Sequence, residues 1–235
     1  MKSQRGFTLV EIAIVLVIIG LLLGGILKGQ ELINSARVRN LADTATGIQA
    51  AYYGFIDRYR RIPGDWNSSA AGLAIGTTLT DETPGGNDNG QIDNGTATVD
   101  YTEPNAMWVH MAAAGFIQGA YIGGTAAPTT VNNVAPLNAF NNVMIMGRTD
   151  DFLNAPSARL HLIIGRGIPV DVMRELDVKV DDGSPSAGDL RATNNDTTGS
   201  LFGDIAEMND SCHDTTNDIW DIRLDAQSCN AAYIF

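Results

Sequence analysis

Positive charge, histidine and cysteine are all scarce in this chain of 235 residues. Fifteen lysines and arginines face 27 aspartates and glutamates, for a net charge of −12. A surface that grips nucleic acid needs a basic face, so nucleic acid is not expected as a partner. The acidity instead suits a surface kept soluble after export. The three histidines, His110, His161 and His213, stand far apart along the chain. No H-E-x-x-H, G-x-S-x-G or phosphate-loop glycine pattern occurs. The motifs that carry zinc hydrolysis, acyl transfer and nucleotide binding are therefore missing, and the chain is not expected to be an enzyme. His161 lies in the apolar run 160–164 and is expected to be a hydrogen-bonded core residue rather than a ligand.

Only two cysteines are present, Cys212 and Cys229, both near the end. In an exported chain an isolated pair reads as a disulfide. Closing that loop would contribute roughly 3 kcal/mol in the chain-entropy model. Two buried thiols or a shared metal are the alternatives, although His213 is the one further ligand type beside either cysteine.

Charge is missing altogether from Ile12 to Leu27. Residues 7–27 form an apolar run of a length that spans a bilayer as a helix, interrupted by Glu11 alone. A secretory signal would carry a shorter apolar stretch followed by a small-residue cleavage site. Lys2 and Arg5 mark the end that stays cytoplasmic, so the bulk of the chain is exported. A carboxylate in such a run costs on the order of 2.5–3.5 kcal/mol at a helix centre and is expected to have a partner and a job.

A plain signal anchor accounts for length and orientation, but not for Glu11 or for the Gly6-Phe7 junction. The stretch Gly6-Phe7-Thr8-Leu9-Val10-Glu11 resembles the processing motif of the type IV prepilin family at every position, within a likeness that runs from Met1 to about Tyr59. The resemblance implies cleavage after Gly6 by a prepilin peptidase and N-methylation of Phe7 by its methyltransferase activity. It also implies assembly into a filament of identical or related pilin subunits. Glu11 lies four residues beyond Phe7, one turn along the same helix face. Desolvated charges need pairing, so Glu11 would meet the Phe7 amine of a neighbouring subunit and set axial register; pairing within its own chain is the alternative. The partners implied are other subunits, the peptidase, inner-membrane assembly machinery and, before assembly, the membrane. The head would lie in the periplasm first, and in an extracellular or periplasmic filament afterwards. A minor pilin or a type II secretion pseudopilin fits the same features. The competing class is a periplasmic enzyme or binding module that merely borrows an anchor.

Past Leu27 the helix is expected to continue. Leu41, Ala45, Ile48, Tyr52, Phe55 and Tyr59 step by three and four, an amphipathic stripe. Arg58, Arg60 and Arg61 suit the dipole at a helix end, and Pro63 stops the helix. Gly20, Gly24 and Gly25 weaken the membrane half; family filaments unwind near Gly20, and small-residue packing in lipid is the other reading. From Ile62 onward short apolar runs alternate with Gly, Asn, Asp, Thr and Pro. A helix should start at Thr102-Glu103-Pro104, turn Met107, Trp108, Met111 and Phe116 inward, and end near Gly115 or Gly119. Residues 123–142 read as a long surface loop. Strands are expected at 160–164, 190–192, 219–224 and 232–235, with a short helix at 169–177. The fold class is α+β: a long N-terminal helix, membrane-spanning then amphipathic, packed on a C-terminal globular region with a small antiparallel sheet. The expected division is a leader at 1–6, the helix at 7–61 and the head at 62–235.

Two acidic groups are candidate cation sites. Asn87, Asn89, Gln91 and Asp93 resemble the middle of a calcium loop, with Gly90 at the turn, but both ends of the motif are missing; an Asn-Gly turn is the plainer reading. Asp177 and Asp181 share a helix face as a repulsive i, i+4 pair unless a cation or Lys179 relieves them; a turn at Asp182-Gly183 is the simpler account. Pro63-Gly64-Asp65, the run 86–90, the tryptophan helix and the acidic element 176–183 together resemble a pattern in minor and unclassified pilins, with no role attached to any residue.

Overall fold

Helix α1 spans Leu9–Tyr59, 51 residues. It belongs to a computed structural model that describes residues 8–79, 85–93, 100–155, 157–193 and 212–235. The chain divides into two compact units, 1–37 and 38–235. In the first, every side chain from Thr8 to Lys28 is exposed, although the segment is apolar apart from Thr8, Glu11 and Lys28. By length and composition α1 is able to cross a membrane. In the second unit the same helix buries Val38, Leu41, Ala45, Ile48, Ala51, Tyr52 and Phe55. This is the expected stripe, with Tyr59 half-buried at its end. Arg60 leaves the helix in the left-handed conformation (φ 54°), ahead of the stop at Pro63.

The rest of the second unit is α2 (Ser68–Ile75), α3 (Thr102–Ala113), β1 (Ile145–Thr149), β2 (Arg159–Ile163), α4 (Val170–Val180), β3 (Leu190–Ala192), β4 (His213–Asp214), β5 (Ile219–Trp220), a single 3-10 turn (Ile222–Leu224) and β6 (Ala231–Ile234). Four strands make an antiparallel sheet in the order β1-β2-β6-β3, and β4 pairs with β5 as a separate hairpin. In the sheet Leu162 stands opposite both Met146 and Tyr233, and Leu190 opposite Tyr233. Leu162, Met146 and Leu190 join the α1 stripe, Met107, Trp108, Met111 and Met173 in one core. The α+β architecture with a small antiparallel sheet is as expected.

Four local expectations are corrected. The strand expected at 219–224 stops at Trp220, because Asp221 accepts the Arg223 N–H and turns the chain into the 3-10 turn. The short helix at 169–177 continues to Val180. Strand β1 was not foreseen: its Ile-Met-Gly-Arg-Thr run is buried at four of five positions, so it shows no alternation. Helix α2 was not foreseen either; it forms because Asn67 Oδ1 accepts the N–H groups of Ser69 and Ala70, and Gly76 closes it in the left-handed conformation. Residues 123–142 hold no regular element, but they are stitched inward. Asn138 is buried; its Nδ2 donates to the Ile164 and Arg166 carbonyls, and its Oδ1 accepts from Phe140 and Asn142.

One contact sets where α3 lies. Gly64 has φ 92°, and a Cβ there would stand 2.5 Å from the Glu103 carbonyl oxygen and 3.0 Å from Met107 Cβ. Its N–H donates to His110 Nδ1 at 3.1 Å. With Nδ1 accepting, the ring proton is on Nε2, which donates to Ser68 Oγ at 3.1 Å. Gly64→Ala combines an unfavourable conformation with a backbone clash. It should therefore lower stability by at least about 2 kcal/mol, read as a drop in the denaturant midpoint of the full-length protein in detergent with an unchanged slope.

Candidate functional site

The start of α1 is the first site to build. Gly6 and Phe7 lie outside the described residues; Thr8 and Glu11 are within them. Glu11 Oε2 accepts the Thr8 N–H at 2.8 Å and the Thr8 hydroxyl at 2.9 Å. In return Thr8 Oγ1 accepts the Glu11 N–H at 3.3 Å. This is a reciprocal capping box, in which the first residue and the fourth satisfy each other's orphan groups. Within a single chain the carboxylate is thus engaged one turn back along its own helix. No other acidic side chain occurs between Thr8 and Leu27.

Three sequence motifs without an assigned role converge in the head. Pro63-Gly64-Asp65 packs on α3 through Gly64 and His110. Asp65 is buried, and its two oxygens accept the N–H groups of Asn89 (2.9 Å) and Gly90 (2.8 Å). Glu103, in the first turn of α3 and also buried, accepts the N–H groups of Asn87 (3.2 Å) and Asp93 (2.6 Å). The loop 87–93 is therefore pinned by two carboxylates from outside it. Gly86 allows this approach, since a Cβ would meet the Asp65 backbone at 2.1 Å. Burial pushes the Glu103 carboxyl up to about 7, and the Asp65 and Asp93 charges add to that against its two N–H donors. Neither Asp65 nor Glu103 was singled out from the sequence. Each sits beside a helix-breaking or helix-starting proline, and that signal pointed to a turn rather than to an anchor.

Of the candidate calcium ligands, Asn87, Asn89 and Asp93 each spend one side-chain oxygen within the loop. Asn87 Oδ1 accepts the Asn89 N–H, Asn89 Oδ1 accepts the Gln91 N–H, and Asp93 Oδ2 accepts from Asn89 Nδ2. A cation at Asn87, Asn89, Gln91 and Asp93 would have to share these acceptors.

The C-terminal end is built around a bond between Cys212 and Cys229, with Cα atoms 5.8 Å apart. The loop it closes carries the β4–β5 hairpin. Asp218, at the turn of that hairpin with φ 51°, accepts the Ser184 and Ser186 hydroxyls at 2.6 and 2.7 Å and pairs with His213 Nε2 at 2.9 Å. Trp220 is buried and donates its Nε1–H to Asp177 Oδ2 at 2.6 Å. Asp177, Asp181 and Asp182, at the end of α4, each place a carboxylate oxygen within 4.8 Å of the others. Burial raises the Asp177 carboxyl to about 6; the Trp220 bond opposes this, and Asp181 and Asp182 reinforce it.

His161 is fully buried, with Nδ1 3.0 Å from the Arg159 carbonyl and Nε2 3.3 Å from Thr149 Oγ1. Burial pushes its pKa down to about 4. It is the hydrogen-bonded core residue expected. The three histidines serve three separate networks, and the residues around them hold the fold together.

Residues 1–27 match the family model described as the prokaryotic N-terminal methylation motif, the signature of type IV pilins and pseudopilins. Proteins carrying that motif are structural rather than catalytic. The motif implies processing by a prepilin peptidase, and together with the apolar helix it fits anchoring in the inner membrane. No curated protein and no solved structure matches the chain.

Glu103 makes the head sensitive to pH. Its folded pKa of about 7 lies above the ordinary 4.5, so the folded state holds a proton that the unfolded chain gives up between these values. The stability from this proton is complete below about pH 4.5 and is lost as pH rises through about 7. The charges facing it are Asp65 and Asp93. Glu103→Gln should remove a fall in stability on the order of 2 kcal/mol across that window, measured as the wild-type-minus-variant difference in melts from pH 4 to 8.

Proposed function

We propose that this protein is a structural subunit of a type IV pilus or pilus-like filament. It enters the inner membrane as a prepilin, with the head in the periplasm. It is cleaved after Gly6, methylated at Phe7 and polymerised through α1 into an extracellular or periplasmic fibre.

One observation carries the reading: the methylation motif at residues 1–27 leads into a helix whose apolar side chains from Leu9 to Leu27 are all exposed. Such a surface is tolerable only when something covers it. Lipid covers it before assembly. In a fibre, the same surfaces of other subunits would take over, and van der Waals packing would replace contact with acyl chains. The acidic head needs no part in that exchange, and it would coat the fibre and determine what it touches.

Glu11 is the switch between the two environments. Alone, its carboxylate is satisfied by Thr8. In the bundle, the cationic amine created at Phe7 by cleavage would offer a stronger, charge-assisted partner. That pairing sets the axial register between subunits.

Two measurements test this. Glu11→Ala should leave membrane insertion intact, because removing a carboxylate from an apolar run favours insertion, by less at this end of the run than the roughly 2.5–3.5 kcal/mol of a helix centre. It should reduce filament incorporation at least tenfold, scored as sheared fibre against membrane fraction in a host with a type IV assembly system; unchanged incorporation would overturn the assembly role. Intact mass of the assembled protein should show a first residue of methylated Phe7, and an N-terminus at Met1 in fibres would contradict the processing step.

A further inference from the structure

The geometry points to a binding site for a hard divalent cation of calcium's class at Asp177, Asp181 and Asp182, where the end of α4 meets the disulfide-closed loop.

Three carboxylates within 4.8 Å of one another repel unless a positive charge relieves them. Lys179, the basic residue inside the element, does not do so; it pairs with Glu175 at 3.3 Å. Among the described residues no lysine, arginine or histidine forms an ion pair with any of the three aspartates. The spacing suits a cation: oxygens on opposite sides of a calcium ion, each 2.3–2.6 Å from it, are at most about 5 Å apart.

A second observation is independent of the clustering. Asp177 is completely buried, and its Oδ1 has no hydrogen-bond partner. The Gly183 N–H also donates toward this carboxyl, outside hydrogen-bond geometry at Oδ1. An orphaned buried carboxylate oxygen is costly, and the group beside it is a pair of further carboxylates. Each of the three spends one oxygen on a protein N–H. Asp177 Oδ2 takes Trp220 Nε1, Asp181 Oδ2 takes the Asp189 and Leu190 amides, and Asp182 Oδ1 takes the Ser184 amide. These bonds hold the carboxylates in place and leave one oxygen of each for a shared ion. Asp182 is exposed and provides the entry path. Because Trp220 lies on the loop that Cys212 and Cys229 close, an ion here would tie that loop to α4.

The test uses full-length protein in detergent, stripped with chelator and titrated with CaCl2, and then with MgCl2, by calorimetry and thermal melting. Saturable binding of one calcium per chain and a rise in Tm of several degrees are expected. Asp182→Asn keeps the acceptor for the Ser184 amide and removes a charge from an exposed position; it should fold normally and weaken calcium at least about tenfold. Asp177→Asn should abolish binding. Asp93→Asn, in the separate loop 87–93, should leave binding unchanged. The proposal is overturned if the wild type shows neither heat nor Tm shift up to about 10 mM of either ion, if Asp182→Asn binds as tightly as wild type, or if Asp93→Asn is the variant that loses binding.

Discussion

A single helix has to satisfy two different surroundings, and the chain is arranged around that constraint. From Val38 to Phe55 one face of α1 is buried in the protein's own core. From Thr8 to Lys28 no side chain is covered. Burial of apolar surface is worth roughly 25 cal/mol per Å², so a bare helix of this composition demands lipid or other helices. The filament subunit proposed above would meet both demands with one segment, first in a bilayer and then in a bundle.

The head, in contrast, is short of regular structure and relies on individual carboxylates to organise its backbone. Asp65, Glu103 and Asp181 each accept two amide N–H groups from a segment distant in sequence or across a turn. Hydrogen bonds to a charged acceptor are stronger than neutral ones, and a buried N–H left without one is costly. This arrangement fixes loops such as 87–93 without a strand or helix to carry them. Desolvation is the cost, and it is visible in the raised pKa values of Glu103 and Asp177.

The two ends of the head are stitched differently. Near Pro63 the closure is a neutral histidine between Gly64 and Ser68. Near the C-terminus it is the Cys212–Cys229 bond, reinforced by Asp218 on Ser184, Ser186 and His213. Both fasten the segments that follow or flank the buried stripe of α1 and the edges of the sheet.

The apolar run, the isolated Glu11, the motif around Gly6 and Phe7, and the three-and-four spacing from Leu41 to Phe55 were all legible in the order of residues, because helical periodicity and membrane length are local properties. The strands 160–164 and 190–192 were legible for the same reason, and the cysteine pairing because the chain holds only two cysteines and reads as exported. The strand β1, the helix α2 and the anchoring roles of Asp65, Glu103, His110 and Asn138 were not. The four anchors each have a partner 16 to 46 residues away, and one-dimensional spacing carries no signal for such a contact; β1 is held by its pairing with β2, and α2 rests on the cap at Asn67. Whether an aspartate ends a turn, captures an amide or faces two other carboxylates across the end of α4 was decided only when folding brought those groups together and excluded water from between them.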